Sequence, residues 1–404
     1  MNISDEYEVT IDSVDYIGNG VTRINNIVTF VFGALKDEEV KIKIESINKH
    51  FATANILKII EINKHYAIGK IIEIINKSKD RIDVKCPIYE KCGGCNFLHT
   101  NINNEVSIKN EYLNRLFNRN IEYISTKNEY NYRNKVTLHV LEGKLGYFND
   151  KTHDLCELDG CMLLNSKINS KIGDLKKYNL SGLNEIVIRC INNEIMINLN
   201  GQIKDKSILN IKCDSLYQNN KYVKGKEYLI DEINGFKFSI FPNSFYQVNK
   251  EGMQEIYDKA AYYIGKGNSL LDLYCGTGTI GIWLSNSFNE ITGIEINKDS
   301  IKNANINKEL NNLKNINFIC GDAKTAKGKY DSIIVDPPRS GLSSNVIKFL
   351  NNSNAKKIIY ISCNPKTLKR DIDLLDNYDL INISSYSMFP RTKHLECVCM
   401  LERK

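Results

Sequence analysis

The sequence predicts a doubly wound α/β domain in the C-terminal part of the chain, preceded by a small β-barrel and a mixed α+β middle. Three observations point there. From about residue 246 onward, helical stretches alternate with short apolar runs, the rhythm that builds a mostly parallel sheet. One of those runs ends in the glycine-rich turn Cys275-Gly-Thr-Gly278. Residues 7–60 instead alternate apolar and polar side chains in short pieces separated by turn residues.

In chain order, Tyr7–Val14 alternates, Gly18-Asn-Gly20 turns, Asn26–Phe32 reads as a second strand, and Glu39–Ile44 alternates cleanly. About five short strands in this stretch fit a closed barrel of the oligonucleotide-binding type. A barrel without any nucleic-acid role is the plain alternative. Residues 61–245 are mixed. A helix is predicted over Asn101–Asn120, with Val106, Ile108, Tyr112, Leu113, Leu116 and Phe117 as its apolar face. Strands are predicted over Val136–Val140 and Glu185–Arg189. The basic cluster Tyr132-Arg-Asn-Lys135 opens the first of these, where a solvated strand end is the bland reading. The C-terminal strands are Ser269–Tyr274, Ile291–Ile296, Asn317–Cys320, Ser332–Val335 and Lys357–Ile361, closed by a pair near 380–388 and 397–402. The expected domains are therefore 1–60, 61–245 and 246–404.

Composition narrows the class. At 404 residues the chain is too long for one ordinary core, and 42% hydrophobic with 25% charged residues describes a soluble globular protein. No apolar stretch reaches the roughly 18–20 residues of a membrane helix. Asp5, Glu6, Glu8, Asp12 and Asp15 deny the start of the chain the basic character of a secretion signal, so a cytoplasmic location is expected. The net charge of +6 is compatible with nucleic acid but does not decide for it. Twelve cysteines in such a chain are not expected to form disulfides; Cys190, Cys213, Cys320 and Cys399 lie in or beside apolar strand-like runs as small core residues.

Ligands of doubly wound sheets bind outside the carboxyl ends of the strands. Asp272, Tyr274, Glu295, Asp322, Asp336 and Cys363 all fall at or near such ends. Glycines at 276 and 278 let the backbone approach a ligand ahead of a helix N-terminus. Glu295 ends the next strand, where an acidic side chain accepts both ribose hydroxyls. Gly276, Gly278 and Gly281 also match a dinucleotide fingerprint, so a nicotinamide or flavin enzyme is the rival. Two features favour S-adenosylmethionine: Asp272-Leu-Tyr274 suits the amino-acid end of that cofactor, and Gly321-Asp322-Ala323 suits the adenine.

Cys363 either is a structural thiol or is a nucleophile, and its place in Ser362-Cys-Asn-Pro365 at a ligand-facing strand end favours the second. Uracil C5 is a poor nucleophile until a thiolate adds at C6, and the methylated adduct then needs a base to remove the C5 proton. Glu396 is the candidate base, and Asp336 in the rigid Asp-Pro-Pro-Arg turn is placed to hydrogen-bond the ring. Amino-group methyltransferases carry an aromatic residue where this chain has Arg339, which argues against that chemistry. Separately, Cys86-Pro-Ile-Tyr-Glu-Lys-Cys92-Gly-Gly-Cys95 brings three thiols within one short loop, with Cys156 or Cys161 as a fourth. Such a set suits an iron–sulfur cluster or structural zinc, and its spacing is not that of a radical S-adenosylmethionine enzyme.

These blocks together resemble the RNA uracil-5 methyltransferase family, a class I (Rossmann-like) group, in particular its branch with a TRAM domain and a [4Fe-4S] cluster that acts on 23S ribosomal RNA. The resemblance runs over Tyr7–Ile59 (the TRAM barrel), Ser244-Phe-Tyr-Gln-Val-Asn249, Asp272–Gly281, Asp336–Gly341, Ser362–Pro365 and Pro390–Glu396. It implies that Gln247, Tyr274, Glu295 and Asp336 contact S-adenosylmethionine with Asp322 near the adenine, that Cys363 is the nucleophile, and that Glu396 is the base. It implies a [4Fe-4S] cluster on Cys86, Cys92, Cys95 and Cys161, although Met162 stands where family members commonly have proline. The expected product is 5-methyluridine, and the expected partner is RNA, bound by a monomer without membrane contact. Two alternatives stand beside this: the same chemistry on transfer RNA, and an inactive iron–sulfur RNA-binding protein.

Overall fold

A computed structural model of the chain describes residues 1–50, 64–149 and 152–404. These form two compact units, Met1–Asn118 with Arg391–Lys393, and Arg119–Pro390 with His394–Lys404. Among the described residues no helix is long and apolar enough to cross a membrane.

The first unit opens with β1 (Glu6–Thr10), β2 (Ser13–Val14), β3 (Asn19–Ile24), β4 (Ile27–Phe32), β5 (Glu39–His50) and β6 (Lys64–Asn76). They pair in the order β1-β5-β6-β4-β3-β2. The alternation expected for 39–44 is realised: Val40, Ile42 and Ile44 are buried and pack with Ile11, Ile24 and Val31. The strand set runs beyond residue 60, since β6 is a full partner of both β5 and β4. The last part of the stretch expected to form the barrel, including Ile59, lies outside the described residues.

Next come α1 (Tyr89–Cys92) and α2 (Ile102–Phe117). Asn101 caps α2, its side chain accepting the Asn104 N–H at 2.9 Å, and Asn118 ends it in the left-handed region at φ +50°. The buried stripe of α2 differs from the apolar face read off the sequence. It consists of Glu105, Lys109, Leu113 and Phe117, whereas Val106, Ile108, Tyr112 and Leu116 are only half-buried. Glu105 and Lys109 form an ion pair of 2.7 Å, and the ammonium also lies 5.1 Å from the Phe97 ring centre. Arg391 completes this arrangement: its N–H donates to Glu105 Oε1 at 3.0 Å, and its Nη1 donates to the carbonyls of Phe97 (3.1 Å) and Thr100 (2.7 Å). Its own carbonyl accepts from Asn96 N and Phe97 N, at φ +69°.

The second unit starts with the short β7 (Glu122–Ile124). A seven-stranded sheet follows, built from β8 (Lys135–Leu141), β9 (Lys144–Phe148), β10 (Leu155–Glu157), β11 (Leu183–Ile191), β12 (Glu194–Gly201), β13 (Ser215–Gln218) and β14 (Lys221–Gly225), with α3 (Ser166–Leu175) against β11. A hairpin of β15 (Leu229–Ile233) and β16 (Phe236–Ile240) leads to α4 (Lys250–Ile264).

The strands then predicted all appear, alternating with helices except between β19 and β20, where a short 3-10 turn stands: β17 (Gly267–Leu273), α5 (Thr279–Trp283), β18 (Phe288–Glu295), α6 (Lys298–Leu310), β19 (Ile316–Cys320), β20 (Ser332–Val335), α7 (Ser344–Asn352), β21 (Lys357–Ser362), α8 (Pro365–Asp373), and the closing pair β22 (Tyr378–Tyr386) and β23 (Glu396–Arg403). The strand order is β19-β18-β17-β20-β21-β23-β22-β7. Chain order reverses between β17 and β20, which makes the crevice above them the expected ligand site of such a sheet. β7 extends the sheet at its β22 edge.

Candidate active site

Each candidate residue reaches the site because its strand stops there. β17, β18, β20 and β21 run parallel, so their last residues share one edge. β23 runs antiparallel to β21, with Ser362 opposite Cys397. Cys363 follows the last β21 residue of that ladder, Glu396 is the first residue of β23, and the Glu396 charge acts on the Cys363 thiol. Two stretches separated by some thirty residues in sequence thus bring a thiol and a carboxylate to the same place. Asn364 caps α8 and Pro365 occupies its first turn, so Cys363 sits in the short joint between strand and helix. The joint is tied down: Ser362 Oγ donates to Asn364 O at 3.1 Å, and Asn364 Nδ2 donates to Arg339 O at 3.0 Å.

The electrostatics follow from burial. Glu396 is buried, and desolvation, aided by the Asp336 charge and opposed by Arg339, holds its carboxyl well above the usual carboxylate range. Desolvation raises Asp336 to about 7. Cys363, half-buried, is raised to about 11 by desolvation and then by the charges of Glu396 and Asp336; Arg339 works against this by charge and hydrogen bond. Arg339 is therefore part of the site as its cation. Its presence in the Asp-Pro-Pro-Arg turn was the available signal, but the sequence reading used it only to argue against base stacking.

The cofactor side lies at β17 and β18. Asp272 is fully buried; Oδ2 accepts the Gly281 N–H at 3.1 Å, while Oδ1 has no hydrogen-bond partner. Its carboxyl is raised to about 8, by desolvation first and the Asp336 charge second. Tyr274 leaves β17 at φ +64°, and Glu295 accepts the N–H groups of Gly276 (3.3 Å) and Asn297 (2.8 Å). Gly276 has φ +54° and open space where a Cβ would stand, whereas a Cβ at Gly278 would come within 2.4 Å of the Phe318 ring. Asp322 caps the turn after β19, half-buried. Gln247 is half-buried, with its carbonyl taken by Asn134 Nδ2 at 3.1 Å. An orphaned buried carboxylate oxygen, an acidic strand end and an uncovered glycine fit the ammonium, ribose and backbone-approach demands of S-adenosylmethionine. The helix after the glycine turn has five residues.

Tyr257 was not anticipated. It is buried on α4, donates or accepts at Thr279 Oγ1 over 2.9 Å, and feels the charges of Asp336, Asp272 and Glu396. Nothing in a helical apolar face distinguishes such a tyrosine beforehand.

The cysteines give a different picture. Cys86, Cys92 and Cys95 are half-buried around α1, and Gly93 ends that helix at φ +70°. Among the described residues, no three His, Cys, Asp or Glu side chains converge into a group able to hold a metal ion. Cys156 is buried within β10, opposite Tyr147 of β9. Cys161 is half-buried in a loop, its backbone clasped by the Asn169 amide at 2.9 and 3.0 Å.

Fold and site together define a class I methyltransferase. The family model described as tRNA (uracil-5-)-methyltransferase matches residues 189–327 and 322–404, and the TRAM domain model matches residues 3–57. Similar proteins include an uncharacterized RNA methyltransferase of Clostridium acetobutylicum (30% identical, covering 99% of this chain and 97% of that protein). Another, from Clostridium tetani, is 32% identical, with 98% and 96% covered. The solved structure of Pyrococcus abyssi tRNA (uracil-54, C5)-methyltransferase with S-adenosyl-L-homocysteine matches in fold, with a TM-score of 0.81 at 24% identity over 98% of this chain and 100% of that one. The chain belongs to the tRNA (uracil-5-)-methyltransferase family. It is an S-adenosylmethionine-dependent RNA uracil-5 methyltransferase with an N-terminal TRAM domain.

Proposed function

We propose that the protein makes 5-methyluridine in 23S ribosomal RNA, acting in the cytoplasm as a monomer. Residues 1–60 and 61–245 would hold the RNA, and residues 246–404 would do the chemistry. The observation that carries the mechanism is that Cys363 and Glu396 flank the last pair of the β21–β23 ladder, Ser362 opposite Cys397, with the Glu396 charge acting on the thiol. In this reading the Cys363 sulfur bonds to uracil C6, and the C5–C6 π pair moves into an enolate. S-adenosylmethionine would supply an electrophilic methyl group to C5, its S–CH3 bond breaking and its sulfur leaving as the thioether of S-adenosylhomocysteine. Glu396 removes the C5 proton, the S–C6 bond breaks, and the C5–C6 double bond re-forms with the thiol released. Arg339 favours the thiolate, and Asp336, close to neutral pH in its titration, holds the ring by hydrogen bond. Gln247, Tyr274, Glu295, Asp322 and Asp336 bind the cofactor.

The ribosomal target rests on the resemblance to the branch that carries a TRAM domain together with the Cys86–Cys95 motif. Transfer RNA is the second reading, favoured by the family's description. Mapping 5-methyluridine in ribosomal and transfer RNA from a strain lacking the protein separates them: loss at a 23S site is expected, and loss confined to transfer RNA reverses the assignment.

The family resemblance supports a [4Fe-4S] cluster on Cys86, Cys92, Cys95 and Cys161, and cysteine thiolates are the ligands such a cluster takes. The half-buried loop position of Cys161, against the buried strand position of Cys156, supports the choice of fourth ligand. Anaerobically purified protein is expected to be brown, with about four irons per chain. Cys161→Ser should lose the iron and Cys156→Ser should keep it. One zinc and no iron would show that the metal is wrongly named.

A further inference from the structure

Four polar residues buried behind the cofactor loop have no part in the mechanism above. On α6, Asn303 is 4% exposed and Asn307 is 0% exposed; Ser239 of β16 and Ser244 beyond it are 1% and 8% exposed. Asn307 Oδ1 accepts both the N–H and the hydroxyl of Ser239 at 2.7 Å, while its Nδ2 donates to the Thr277 carbonyl at 2.9 Å. Asn303 Nδ2 donates to the Ser239 carbonyl at 3.0 Å, and its Oδ1 accepts the Ser244 hydroxyl. Ser244 Oγ also takes the Phe241 N–H at 3.0 Å, fixing the turn that leads to Gln247. Thr277 Oγ1 reaches back to the Phe245 carbonyl at 3.4 Å.

Apolar side chains would fill the same space without the cost of burying amides. What amides add is direction, and they are used where two irregular backbone segments meet. Gly276 and Gly278 both have positive φ, and among the loop's own side chains Thr277 alone ties it, by the long 3.4 Å bond to Phe245. Asn307 restrains it from behind, through Thr277. Asn303 does the same for the segment carrying Gln247, through Ser244. We propose that Asn303 and Asn307, one helical turn apart, are positioning residues for S-adenosylmethionine: they hold the glycine loop and the Gln247 segment in mutual register, so that the cofactor meets a preformed site.

The test is equilibrium binding of S-adenosylmethionine and S-adenosylhomocysteine to the full chain, alongside melting temperature and steady-state kinetics. Asn307→Ala is expected to weaken both ligands roughly tenfold or more. It should raise the KM for the cofactor while turnover at saturating cofactor stays within about threefold of the parent. A scaffold role alone would lower the melting temperature and leave the affinity of the folded protein at the parental value, and that result overturns the proposal. Should Asn307→Ala not fold, Ser244→Ala carries the test, because it releases only the Gln247 segment. A loss of affinity of about threefold or more supports the proposal there, and parental affinity overturns it.

Discussion

Cys363→Ala is expected to abolish methyl transfer while leaving S-adenosylmethionine affinity close to that of the parent. The thiol has no part in the cofactor loop, which depends on Asp272, Glu295 and the glycines at 276 and 278. The loss should be complete because uracil C5 has no other route to nucleophilic character in this site. RNA containing 5-fluorouridine gives the decisive measurement. Fluorine cannot leave as a proton does, so the parent should accumulate a protein–RNA adduct that survives denaturation. The alanine variant should form none, and an adduct of equal yield would assign the nucleophile elsewhere.

Glu396→Gln should divide the reaction. Addition and methyl transfer do not need the base, but removal of the C5 proton does, and losing a general base typically costs roughly 10²–10⁴-fold. The variant is therefore expected to stall as a covalent, already methylated RNA adduct. The pH dependence sharpens this. Burial raises the Glu396 carboxyl above its usual range, so proton removal should gain rate with rising pH at values where an exposed glutamate would already be fully ionised. That limb should vanish in the glutamine variant, while the limb set by Cys363, raised to about 11, should remain in the addition step. Release of product at the parental rate removes Glu396 from the mechanism.

The parts of the molecule legible in sequence are those whose signal is local. A strand ending in a glycine turn, an acidic residue ending the next strand, and a cysteine between a strand and an Asn-Pro cap each declare their place within a few residues. Cys363 and Glu396 are readable as nucleophile and base from the chemistry, but that the two meet depends on how β21 and β23 pair. Other features were hidden for definite reasons. β7 has only three residues, too few for any periodicity, and exists because β22 offers an edge. Glu105 and Lys109 read as the solvated side of α2 because a charge counts as polar until its partner is known. Asn303 and Asn307 read as an ordinary polar helix face for the same reason, since what buries them comes from β16 and the cofactor loop.

The clasp on Arg391 bears on the order in which the protein can mature. Glu105 receives that arginine's N–H, and the carbonyls of Phe97 and Thr100 receive its guanidinium. During synthesis these partners emerge nearly three hundred residues too early. Until residue 391 leaves the ribosome, Glu105 and Lys109 have each other and the Phe97 ring but not that N–H, and a buried ion pair by itself contributes little or even destabilises. The nascent first unit is thus held back from its final packing until almost the whole chain exists. A truncation at residue 118 would isolate that waiting state, so the two units should be obtained from one uninterrupted polypeptide and not by mixing halves.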